Sequence, residues 1–132
     1  MLTTAGLALS NDGTIFIAKR KPGKYLGVCW EFPGGKVKPG EKPEEALERE
    51  FYEEFGVSVQ VGKEFCTGKF WGNGGTYTVK VFWIDIEGEP VCREHTEVRW
   101  VPLPEVFTYG FPPSDSIVLG ALRAYEEELA AK

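Results

Sequence analysis

The chain has 132 residues, with 15 Lys and Arg against 20 Asp and Glu and a formal charge of −5. That length suits one domain around a single core, spanning 1–132, and an acidic balance without a basic block excludes polymeric nucleic acid as the expected partner. Cys29, Cys66 and Cys92 fit neither a disulfide framework nor zinc spacing; without a signal peptide or an apolar run of about 18 residues, the expectation is a reduced cytoplasmic protein with no membrane partner.

In chain order, Thr3 to Leu9 and Thr14 to Ala18 read as strands joined by a turn at Asn11, Asp12 and Gly13. Residues 21–30 read as a loop, and residues 31–37 carry Pro33, Gly34 and Gly35 towards a helix. Pro43 suits the first position of that helix, where its missing N–H costs nothing. Lys42 is a poor N-cap, so the preceding loop is expected to hold this end. Leu47, Phe51 and Phe55 form a narrow apolar stripe, and Gly56 stands where a left-handed C-terminal residue is usual.

Val57, Val59 and Val61 then alternate as a strand does, and a hairpin turning at Gly72, Asn73, Gly74 and Gly75 leads into Thr76 to Ile86. Val98 to Val101 reads as a short strand, with a single turn at Pro104 to Phe107. Ser116 to Ala130 reads as a second long helix with Ile117, Ala121, Leu122, Tyr125 and Leu129 inward. Strands interspersed with two helices indicate an α/β layered domain.

The first helix carries the chemistry. Glu50, Glu53 and Glu54 stand at i, i+3 and i+4, so they project in nearly one direction along the edge of the apolar stripe. Three carboxylates that close repel one another unless a cation sits among them, and a hard divalent ion such as magnesium meets that demand. Glu44, Glu45 and Glu48 point elsewhere. By composition alone a solvated acidic surface is the favoured reading of this helix; the match of its spacing to a known motif reverses that.

From Gly35 the segment GKVKPGEKPEEALEREFYEEFGV matches every fixed position of the Nudix box, G-x5-E-x7-R-E-U-x-E-E-x-G-U, with Phe51 and Val57 as the apolar U residues. The chain resembles the MutT-like branch of the Nudix hydrolases over nearly its whole length. WEFPGGKVKPGE (Trp30 to Glu41), EGEP, EHTEVRW (Glu94 to Trp100) and FPPSD (Phe111 to Asp115) are similar to that branch's landmarks in the same order. The resemblance implies an α/β/α sandwich around a mixed sheet. It also implies magnesium-dependent hydrolysis, with manganese as a substitute, of a nucleoside diphosphate linked to another moiety.

Carried over position by position, the resemblance implies Glu50, Glu53, Glu54, Glu94 and the Gly34 carbonyl as metal ligands. Glu50, Glu53 and Glu94 remain candidates for the general base, and Glu97 competes with Glu94. Arg49 is expected to pair with Glu41 or Glu50 and so orient a carboxylate. Substrate contacts are implied for Arg20, Tyr25, Glu31, Phe32, Pro33, Lys36, Pro112 and Asp115. Arg20 reads equally as a strand-end surface charge, and Asp115 as a cap for the last helix. His95 is expected to be structural or solvent-facing, and Cys29 has no histidine partner in prospect.

Two departures bear on the base. Asp115 occupies a position where the branch reading oxidised guanine has asparagine. An ionised aspartate only accepts, so it suits a donor edge such as cytosine's amino group, or else it must be protonated. The turn at 72–75 also lacks the charged residue of the guanine-specific branch. The expected reaction is cleavage of a nucleoside triphosphate, an oxidised one such as 8-oxo-dGTP included, to monophosphate and pyrophosphate, by a monomer or homodimer. CTP or a modified pyrimidine triphosphate, a dinucleoside polyphosphate or a nucleoside-diphosphate sugar are the alternative substrates. A non-catalytic nucleotide-binding module is the remaining alternative, disfavoured because every box carboxylate is present.

Overall fold

The computed structural model describes residues 1–21, 29–72 and 74–132. In order these form β1 (Leu2–Leu7), β2 (Thr14–Arg20), β3 (Trp30–Glu31), α1 (Pro43–Phe55), β4 (Ser58–Gly72), β5 (Gly75–Glu87), β6 (His95–Pro102) and α2 (Ser116–Ala130). Short 3-10 turns, Leu103–Thr108 and Pro113–Asp115, precede α2. The strands pair as two three-stranded sheets, ordered β1-β5-β4 and β3-β2-β6. The first sheet is mixed, because β1 runs parallel to β5 while β4 and β5 form an antiparallel hairpin. The second sheet is antiparallel.

The two sheets are covered on both faces, and side-chain parity shows how. Ile15, Ile17, Val79 and Val81 pack with Val118 and Leu122 of α2. Their neighbours Phe16 and Ala18, with Phe82 and Ile84, pack with Leu47, Phe51 and Phe55 of α1. Successive strand residues point to opposite faces, so the four consecutive buried residues Ile15–Ala18 serve both layers. Against α1 the packing is aromatic: Phe16 meets Phe55 edge-on at 5.5 Å and lies 6.4 Å from Phe51. The α/β/α sandwich implied by the resemblance is thus present, although its strands divide between two sheets.

Four local expectations change. β1 and β2 are not a simple hairpin: antiparallel contact is limited to a bridge between Leu9 and Ile15, because Leu2–Leu7 is paired with β5 instead. β6 begins at His95, three residues before the expected strand. On α2, Val118 is fully enclosed whereas Leu129 is 45% exposed, since the last turn extends beyond the cluster that buries Leu122. The start of α1 is held not by the preceding loop alone, where Glu41 accepts the Lys38 N–H at 3.0 Å, but also by its own first turn, where Glu45 accepts the Lys42 N–H at 2.8 Å. Among the described residues no helix is long and apolar enough to cross a membrane.

Phe51 joins α1 to both sheets and has no exposed surface. Phe51→Ala is expected to cost about 3–5 kcal/mol, read as a lower urea midpoint at unchanged slope.

Candidate active site

The glycine loop after β3 lies against β1. Gly6 N–H bonds the Pro33 carbonyl and Thr4 N–H the Gly35 carbonyl, both at 2.9 Å. Because an extended backbone alternates, the intervening Gly34 carbonyl is directed away from β1. Neither glycine has room for a side chain. A Cβ on Gly34 would fall 2.1 Å from the Thr4 carbonyl oxygen, and one on Gly35 would fall 2.4 Å from the carboxyl carbon of Glu50. The loop therefore brings bare backbone up to the acidic edge of α1.

Arg49 locks that edge. Its Nε donates to Glu41 Oε2 at 2.8 Å, and its Nη2 donates to Glu41 Oε1 and the Lys36 carbonyl, each at 3.0 Å. Its Nη1 donates to Glu50 at 2.8 Å and, more distantly, to Glu53 at 3.4 Å. The expected choice between Glu41 and Glu50 is thus resolved as both. The forked guanidinium can serve two carboxylates at once, which an ammonium could not do in this geometry. The Arg49 bonds and the Lys38 amide bring the Glu41 carboxyl down to about 2, and Glu41 in turn raises Arg49 above its ordinary range.

Glu54 is in a different environment. It is 8% exposed, and its Oε2 is buried without a hydrogen-bond partner. Burial, followed by the charges of Glu31, Glu50, Glu94 and Glu53, raises its carboxyl to about 9. Glu31 lies beside it and pairs twice, with Arg20 Nε at 3.3 Å and with His95 Nε2 at 2.7 Å. His95 is buried with its ring stacked on Phe55 at 4.9 Å, and its Nδ1 has no partner. Glu31, Glu54 and His95 each offer one ligand atom within 4.8 Å of the others. A buried, unpartnered oxygen among further carboxylates is the donor set a divalent cation requires, so these residues fit such an ion.

Two adjoining cavities open here. One, of about 320 Å³, is lined by Arg20, Lys21, Glu31, Gly34, Glu54, Glu94 and His95. The other, of about 140 Å³, shares Arg20, Glu31 and Gly34 and adds apolar walls from Phe32, Phe70, Val79 and Pro112. Asp115 and Ser114 supply its remaining polar edge. Asp115 is 9% exposed and makes no side-chain capping bond to α2. Burial first, and the Glu31 charge second, push its carboxyl up to about 8 against the opposing pull of Arg20.

The fold therefore gathers Arg20, Glu31, Phe32, Gly34, Glu54, Glu94, Pro112 and Asp115 around two cavities that share Arg20, Glu31 and Gly34. Glu50 and Glu53 stand on its α1 side through Arg49, with the Glu53 side chain 51% exposed. Pro33 and Lys36 line neither cavity: Pro33 is enclosed in the core, and Lys36 extends over the Tyr77 ring at 5.8 Å. Tyr25 lies outside the described residues. Sequence reasoning missed Phe70 and underrated His95. Phe70 sits on an alternating strand like any core residue. His95 reaches the site because β6 sets it opposite Arg20, a pairing that no local motif announces.

In the unfolded chain Glu54 ionises near 4.5, whereas in the folded, metal-free protein it keeps its proton to about 9. Between those values the folded state binds the extra proton, so stability falls as pH rises. Melts of the metal-free protein should show Tm declining from about pH 5 to about pH 9, and Glu54→Gln should make the decline shallower, leaving the part that Asp115, raised to about 8, contributes.

Residues 2–122 match the family model described as the NUDIX domain. The chain is 30% identical over 125 residues to the CTP pyrophosphohydrolase of Escherichia coli K12, covering 94% of this chain and 93% of that protein. It is 34% identical over 121 residues to the 8-oxo-dGTP diphosphatase of Haemophilus influenzae, covering 89% and 88%. Among solved structures, it superposes on the E. coli ORF135 protein with a TM-score of 0.84 at 27% identity, covering 99% of this chain and 91% of the other. A MutT NUDIX hydrolase from Burkholderia pseudomallei gives 0.76 at 28% identity, covering 92% and 95%. With the box residues assembled on α1 and the match running through both sheets, the chain belongs to the Nudix hydrolase family.

Proposed function

We propose that this Nudix hydrolase cleaves a nucleoside triphosphate to the monophosphate and pyrophosphate, with Mg²⁺ as its ion and Mn²⁺ as a substitute. The observation that carries the reading is the shared wall of the two cavities: the acidic one around Glu54 and the apolar one around Asp115 share Arg20, Glu31 and Gly34. A phosphate chain in the first and a base in the second would be joined across those residues. The relatives named for CTP and for 8-oxo-dGTP support that substrate class.

In this reading Glu50, Glu53, Glu54, Glu94 and the Gly34 carbonyl hold the cation. Bound there, it would neutralise phosphate charge and lower the proton affinity of a water. Arg49 keeps Glu50 and Glu53 in place while Glu41 holds Arg49 from behind. Arg20, held by Glu31, faces the phosphates, and Phe32, Phe70 and Pro112 enclose the base. Most of the protein's work is positioning and electrostatic stabilisation. The base that activates water is one of Glu50, Glu53 and Glu94.

The test is turnover on a panel comprising 8-oxo-dGTP, dGTP, CTP, 5-methyl-dCTP and a dinucleoside polyphosphate, compared by kcat/KM with Mg²⁺ and Mn²⁺. Release of pyrophosphate is expected from at least one triphosphate. Glu53→Gln and Glu54→Gln are expected to lower kcat on the order of 10²-fold. Inactivity on every triphosphate, or variants as fast as wild type, would overturn the reading.

The protonation state of Asp115 bears on which base enters. With its carboxyl at about 8, it is neutral at pH 7 and both donates and accepts, as asparagine does. Above about pH 8 it only accepts. A base that uses the donated proton should show KM rising about 10-fold above that pH, the cost of losing one buried hydrogen bond. Asp115→Asn should make that KM independent of pH. A base offering only donors, such as cytosine through its amino group, should bind better above pH 8, so the slope of KM against pH separates the two substrate classes.

A further inference from the structure

Outside the residues already given roles, the C-terminal end of α1 is tied to a second segment near the site. Its last carbonyls are taken up by the segment that precedes β6: Val91 N–H bonds the Phe55 carbonyl at 2.9 Å, and Arg93 N–H bonds that of Glu54 at 3.2 Å. The Arg93 side chain turns back to the same end. Its Nη1 donates to the Tyr52 carbonyl at 3.1 Å, and its guanidinium lies 5.8 Å from the centre of the Tyr52 ring.

Two features favour an arginine at this helix end. α1 has no basic residue in its own last turn, so Arg93 supplies the positive charge that a helix C-terminus favours. Gly56 has φ +68°, a left-handed backbone that calls for glycine, and its bare Cα lets the guanidinium lie close, 2.8 Å from where a Cβ would stand.

The next residue is Glu94, which shares a cavity with Glu54 and contributes to raising its carboxyl. We infer that Arg93 is a positioning residue: its guanidinium, bonded to the Tyr52 carbonyl, braces the segment whose Val91 and Arg93 amides bond the Phe55 and Glu54 carbonyls, and so delivers Glu94 to the cation that Glu54 helps to hold. The inference rests on the proposed role of Glu94 as a ligand. It also gives a physical reason why an exposed segment can supply a ligand to a site built on a helix. The Val91 and Arg93 amides tie into adjacent carbonyls of α1, so no free loop need be ordered when the ion arrives.

The test uses Mn²⁺ binding to the full chain, followed by electron paramagnetic resonance without nucleotide, together with amide exchange at Val91. Arg93→Met is expected to weaken Mn²⁺ binding about 10-fold, as loss of a residue that orients a ligand does. It should also speed exchange of the Val91 amide while moving Tm little. Arg93→Lys, which keeps a charge and a donor, should restore most of the affinity. In a Glu94→Gln background Arg93→Met should add nothing further, because the two act as one unit. If Glu94→Gln weakens Mn²⁺ binding while Arg93→Met leaves it intact, or if the two losses add, the clamp is wrong. If Glu94→Gln leaves binding unchanged, the ligand role of Glu94 fails, and the clamp with it.

Discussion

A carboxyl group with four carboxylate neighbours and one unpartnered oxygen, enclosed at the end of a helix, governs the rest of this site. Glu54 cannot ionise there unaided: burial and the charges of Glu31, Glu50, Glu94 and Glu53 all act in the same direction. Either a proton or a cation must occupy the position. The surrounding geometry suits the cation, because Glu54 opens with Glu31, Glu94 and His95 onto a cavity of about 320 Å³. Around this group two arginines are committed. Arg49 is tied to Glu41, Glu50 and Glu53, and Arg20 to Glu31.

That commitment separates two kinds of acidic residue around α1. Glu41 is satisfied by a guanidinium and holds shape; Glu50 shares that guanidinium through one oxygen while lying against Gly35, and Glu54 is left electrostatically unsatisfied and is available for function. The contrast appears in their opposite displacements, about 2 for Glu41 against about 9 for Glu54. The same logic recurs at Asp115, whose burial beside Glu31 keeps a proton that solvent exposure would remove. Glu31 is therefore the common neighbour of both unusual carboxyls, and it is itself paired with Arg20 and His95.

The architecture makes this arrangement tolerable for stability by keeping the polar site at the seam between two packed faces. Phe16 and Ala18 serve the α1 layer, Ile15 and Ile17 the α2 layer, and β2 ends at Arg20 where both layers stop. The apolar cavity is walled by Phe32 after β3, Phe70 of β4, Val79 of β5 and Pro112 before α2. Such a pocket is formed in advance by the scaffold, in keeping with sites at the junction of layers.

Much of this could be read from the chain. The spacing of Glu50, Glu53 and Glu54 along a stripe of Leu47, Phe51 and Phe55 already determined a helix with one apolar and one acidic edge, because both follow from a period of 3.6 residues. The Arg49 to Glu41 pairing and the glycine that ends α1 were similarly local in origin. Only the tertiary structure decided that Glu54 is buried while Glu53 is half in solvent, that Asp115 faces a cavity and makes no helix-capping bond, and that His95 and Phe70 join the site. Those outcomes depend on which strand lies opposite which, as when β6 sets His95 across from Arg20. Local periodicity fixes the direction of a side chain relative to its own element; its exposure and its neighbours are set by elements far away in sequence.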